Sequence, residues 1–182
     1  MELYIHIPFC HQICHYCDFN KVFFKNQPVD EYIEMVGQEL QMMHDEGISF
    51  GELETVFIGG GTPTSLSAEQ LQRLLEIIGK FVDVGKLEEF TTEANPDELT
   101  KEKLIVLKAG GINRLSIGVQ SFDTELLKKI GRTHDANDPK RVIQDARDVG
   151  FTNISIDLIY ALPNHTIEQW QHTLDEAFAL DL

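Results

Sequence analysis

Short apolar runs rich in β-branched residues alternate along this chain with longer stretches of helical periodicity. Leu3–Ile7, Glu54–Ile58, Glu89–Glu93, Arg114–Val119 and Asn153–Leu158 read as strands. Helical patterns cover Val29–His44, Ala68–Phe81, Leu99–Ala109, Asp123–Ile130, Pro139–Val149 and Ile167–Ala179. Boundary signals agree with the periodicity. Asp30 is a candidate cap for the first helix, and Ser67 with Gln70 spells a capping box for the second. Gly110-Gly111 and Gly150 are stop signals, and Thr166 is a candidate cap for the last helix.

Strands alternating with helices specify an α/β fold with a parallel sheet. About five βα units in register form either an open sheet or part of a TIM-like barrel. No linker, repeat or low-complexity tract interrupts them, so residues 1–182 read as one domain. The last unit stops at Asp181-Leu182, where a sixth strand is expected. The architecture therefore looks truncated, and its fifth strand would offer a free edge to a partner or to the rest of a longer protein.

Composition narrows the function classes. Apolar residues make up 42% and charged residues 25%, ordinary for a water-soluble domain. Net charge is −15 and the pI is near 4.7, which argues against a general nucleic-acid role, because phosphate binding needs a basic surface. The N-terminal stretch is too short and polar for a signal peptide. No apolar run approaches the ~20 residues of a membrane span. The expected location is cytoplasmic, with peripheral membrane contact left open.

The chain's only cysteines, Cys10, Cys14 and Cys17, are spaced C-x3-C-x2-C. Four thiolates usually hold a [4Fe–4S] cluster, so three would leave one iron open to a small molecule. A disulfide framework fits an odd count poorly. Zinc held by three cysteines and one of His6, His11 or His15 is the competing reading.

Sites in parallel α/β folds form at the C-terminal ends of strands. The cysteine loop follows the first strand there. Gly59-Gly60-Gly61-Thr62-Pro63-Thr64 follows the second, without the lysine of a P-loop. Its glycines would let backbone groups approach a ligand closely. Glu93 and Asn95 end the third strand, Gln120 and Ser121 the fourth, and Asp157 lies late in the fifth. Asp157 sits in an otherwise apolar run, so its carboxylate must have partners or face a cavity. Arg132 is suited to meet a ligand carboxylate with its guanidinium fork.

The cysteine spacing, with aromatic Tyr16 before the last cysteine, resembles the radical S-adenosylmethionine (SAM) superfamily. Tyr4–Cys10, Gly59–Thr64, Glu93–Pro96, Leu115–Phe122 and Asp157–Pro163 extend the resemblance to the branch of oxygen-independent coproporphyrinogen III oxidases and haem chaperones. That branch implies a three-quarter (βα)6 barrel followed by a C-terminal domain not covered here. It implies that Cys10, Cys14 and Cys17 ligate a [4Fe–4S] cluster whose open iron chelates SAM, and that the reduced cluster cleaves SAM to a radical. It further implies that Tyr4, Tyr16, Gly60, Gly61, Thr62, Glu93, Gln120, Arg132 and Asp157 line the SAM site. The oxidases carry a fourth cysteine two residues after the third, where this chain has Phe19, and they have a long N-terminal extension. Both departures resemble the haem chaperones, which carry haem to haem-dependent enzymes. The alternative is oxidative decarboxylation of a tetrapyrrole. Any of His6, His11, His15, His44, His134, His165 and His172 is a candidate haem ligand.

Overall fold

The alternation of apolar runs becomes a five-stranded parallel sheet in a computed structural model that describes all 182 residues. In chain order the elements are β1 (Glu2–Ile7), β2 (Phe9–Cys10), β3 (Val22–Phe23), α1 (Val29–Asp45), β4 (Thr55–Gly60), α2 (Ala68–Ile78) and β5 (Glu89–Ala94). They continue with α3 (Lys101–Ala109), β6 (Arg114–Gln120), α4 (Thr124–Lys129), α5 (Asp138–Val149), β7 (Asn153–Leu158) and α6 (Ile167–Ala179). The large sheet runs β1-β4-β5-β6-β7, each strand parallel to its neighbour. This is the order that successive βα units generate.

One face of the sheet is apolar and the other is not. Ile5, Ile7, Val56, Ile58, Phe90, Leu115, Ile117, Val119 and Ile154 are buried in a single core. The helices close this core, with α1 packed on α2, α2 on α3 and α3 on α5. Alternate positions on the opposite face carry Glu89, Thr91 and Glu93 on β5, Arg114, Ser116 and Gly118 on β6, and Ser155 and Asp157 on β7. Arg114 bonds Glu89 and Ser155 across three strands, at 3.1 and 3.2 Å. Parallel sheets are usually apolar on both faces. A polar second face marks a surface kept for water or a ligand.

Ser67 and Thr166 form complete capping boxes with Gln70 and Gln169, as their spacing predicts. Gly150 ends α5 in the left-handed conformation (φ 100°). Three expected boundaries move. Asp30 is not the cap of α1: Pro28 precedes the helix, and Asp30 instead accepts a hydrogen bond from Gln70 Nε2 at 2.9 Å. Helix α2 ends at Ile78, because Lys80 and Phe81 bond three residues back and tighten into turns. Helix α3 starts at Lys101, because the Thr100 side chain caps the Lys103 N–H. The pair β2–β3 goes beyond the expected strands and closes the base of the cysteine loop.

Candidate cofactor site

The cysteine loop leaves β2 at Cys10 and returns at β3. Val22 N–H donates to Pro8 O at 2.8 Å and Phe24 N–H to Cys10 O at 2.9 Å, which fixes both ends. Lys21 reaches back inside the loop and donates to the carbonyls of Cys17 (2.7 Å) and Phe19 (3.1 Å). None of the three cysteines is in a disulfide. The nearby histidines are engaged elsewhere: His6 with Tyr4 and Asn20, His11 with Ser65 O, His15 with Lys129 O. No three acidic, histidine or cysteine side chains converge on a single metal ion.

The glycine turn after β4 lies directly against this loop. Gly61 N–H donates to Ile7 O at 2.8 Å and Thr62 N–H to Phe9 O at 2.9 Å, which extends the β1–β4 pairing past the strand ends. A Cβ at Gly61 would lie 2.8 Å from the Pro8 carbonyl and 2.9 Å from Cys10 Sγ, so only glycine allows this approach. The Thr62 hydroxyl donates to Cys10 Sγ at 3.5 Å.

Carboxylates and one guanidinium complete the rim. Glu93 accepts from Gly60 N–H at 3.0 Å, and Ser116 Oγ donates to Asp157 at 3.1 Å. Burial raises the Glu93 carboxyl above its ordinary range, the Gly60 N–H pulls it back, and the Asp157 charge adds to the rise. Gln120 is buried at φ 68°, an uncommon conformation for a residue with a side chain, at an irregularity in the β6–β7 pairing. Arg132 donates to the Tyr16 hydroxyl through Nη2 (2.7 Å) and Nε (3.1 Å), and to Asn95 Oδ1. These partners are neutral, so the charge of Arg132 stays available to an anion. Gly118 makes room for it, since a Cβ there would lie 2.9 Å from Arg132 Nη2.

The thiols of Cys10 and Cys14 are neutral as they stand. Burial raises both Cys10 and Cys14, with Thr62 pulling Cys10 back and Arg132 pulling Cys14 back. A metal that binds them must displace protons. Tyr16 is pushed up to about 12 by burial, partly offset by Arg132, so its phenol stays protonated.

These groups line one cavity that is open at its mouth. Cys10, Cys14, Cys17, Tyr16, Gly60, Gly61, Thr62, Glu93, Gln120, Arg132 and Asp157 all line it. Tyr4 is not brought into its wall. It is 56% exposed, stacks on Phe57 and bonds His6, although the Glu93 charge still helps to raise its phenol, after burial. Sequence reasoning missed Ser116, Gly118 and Lys21, which also line the cavity. The period-two pattern Ser116, Gly118, Gln120 within apolar β6 was the signal for the first two.

Residues 4–177 match the radical SAM superfamily, and the chain belongs to it. It is 51% identical over 180 residues to the haem chaperone HemW of Bacillus subtilis, covering 98% of this chain and 47% of that protein. It is 36% identical over 183 residues to the oxygen-independent coproporphyrinogen III oxidase of Escherichia coli, covering 100% of this chain and 40% of that one. The solved structure of coproporphyrinogen III oxidase (HemN) from Escherichia coli superposes with a TM-score of 0.88 at 35% identity, over 98% of this chain and 41% of that chain. The sheet is thus part of a TIM-like barrel of the radical SAM type. The chain spans about half the length, or less, of these relatives.

Proposed function

We propose that this chain is the cofactor-binding part of a haem chaperone. In this reading Cys10, Cys14 and Cys17 would hold a [4Fe–4S] cluster beside a bound SAM, and the protein would carry haem to haem-dependent enzymes. A cluster held there would supply the electron for SAM chemistry. The chain's own residues do the rest. Arg132 offers the free cation for the SAM carboxylate, and the glycine turn offers backbone groups at close range to its ammonium. Glu93 and Asp157 offer acceptors across the cavity, and Tyr16 covers the cysteine loop beside Arg132.

The observation that carries this reading is the convergence of three disulfide-free thiols, the glycine turn and a guanidinium hydrogen-bonded only to neutral groups on one cavity. The 51% identity to a haem chaperone supports the chaperone role. The second reading, tetrapyrrole decarboxylation, is favoured by the likeness to the oxidases. Phe19 weighs against it. This residue, 66% exposed, stands at the cavity where the oxidases have a further cysteine.

A haem titration set beside a decarboxylation assay separates the two. The chaperone reading expects stoichiometric haem uptake and no vinyl product from coproporphyrinogen III. Vinyl product formation contradicts it.

A further inference from the structure

The segment between Cys14 and Cys17 is fastened to the element that carries Arg132, and the fastening is His15. Its Nδ1 lies 2.9 Å from Lys129 O, and its backbone N–H donates to Ile130 O at 3.0 Å. A carbonyl only accepts, so Nδ1 carries the proton. The imidazole packs over Gly131, whose φ is 79°, where a Cβ would come 3.2 Å from the ring. The next residues on the two segments, Tyr16 and Arg132, then meet at 2.7 Å. The far side of the Arg132 turn is pinned as well. Arg132 bonds Asn95, and Thr133 bonds Asp97, both in the loop after β5. His15 itself does not line the cavity.

We propose that His15 is a positioning residue: it clips the cysteine loop to the end of α4, so that Tyr16 and Arg132 form one preset wall of the SAM site. The inference rests on the SAM-binding reading above. Preorganising a binding group in this way lowers the ordering cost of the ligand. The clip is one side-chain hydrogen bond at an exposed position, so its loss should weaken SAM binding by roughly fivefold and not abolish it.

The test is a SAM titration of anaerobically reconstituted protein, followed by the change in its EPR spectrum. His15→Ala should keep wild-type iron and sulfide while needing roughly fivefold more SAM for half the change. His15→Asn, whose Nδ2 can donate to Lys129 O, should return to within about twofold of wild type. An unshifted midpoint in His15→Ala overturns the proposal. So does loss of iron in that variant, or a His15→Asn no better than His15→Ala. Hydrogen exchange on the cofactor-free chain reads the clip without cluster or SAM. His15→Ala should exchange faster across Cys14–Cys17 and Gly131–Thr133, with protection restored in His15→Asn. Unchanged exchange overturns the clip even if SAM binds, whereas wild-type protein that takes up no cluster overturns only the cofactor reading.

Discussion

Glu98, behind the cavity wall, should make this protein lose stability as pH rises through neutrality. Its Oε2 is buried with no hydrogen-bond partner. Burial pushes its carboxyl from an ordinary 4.5 to about 7, the Asp97 charge adds to the rise, and Lys103, Arg132 and Asn95 pull it back only in part. Lys103 is itself drawn down by burial, and its Nζ is committed to Thr64 O at 2.6 Å. A carboxyl raised in this way binds its proton more tightly in the folded chain than in the unfolded one. The stability it contributes is fully present below about 4.5 and is lost as pH rises through about 7. At about 1.36 kcal/mol per pH unit the loss is capped at ~3 kcal/mol. Glu98→Gln keeps the shape of the protonated form and cannot ionise. Urea unfolding of the cofactor-free chain should find variant and wild type nearly equally stable near pH 4, below the ordinary carboxyl value, and the variant ahead by ~3 kcal/mol near pH 8. A stability difference that stays constant across that range would refute the reasoning.

Two further perturbations probe the site from its walls. Gly61→Ala places a Cβ 2.8 Å from the Pro8 carbonyl and 2.9 Å from Cys10 Sγ, so reconstituted iron should fall below half of wild type, checked by iron and sulfide analysis. Arg132→Lys keeps the charge but loses the fork that spans Tyr16 and Asn95. It should retain the cluster's EPR signal and bind SAM at least about tenfold more weakly, and unaltered SAM affinity contradicts the role given to Arg132.

The strands and helices were legible because period two and period 3.6 are properties of the residues themselves, and five parallel strands followed from their alternation with helices. The convergence at the rim was legible for a related reason: strand ends in a parallel sheet share one rim, so Cys10, Gly60, Glu93, Gln120 and Asp157 line one cavity whatever their separation in sequence. What was not legible depends on contacts between distant segments. Asp30 satisfies Gln70 on another helix, which no local capping pattern can show. The β2–β3 pair has two residues per strand and is held by the loop it closes. Gly118 reads as a plain strand glycine until Arg132 arrives beside it. Tyr4 carries the right residue type at the right strand, yet its ring stacks outward on Phe57 and stays out of the cavity wall.

In the proposed reading three cysteines hold a cluster with one iron free for SAM. Anaerobic reconstitution with iron and sulfide, then EPR of the reduced protein with and without SAM, tests it most directly. The expected result is a [4Fe–4S]⁺ signal that changes when SAM is added and is lost in Cys10→Ala, Cys14→Ala and Cys17→Ala alike. A signal indifferent to SAM, iron retained at wild-type stoichiometry in those variants, or zinc in place of iron would contradict it.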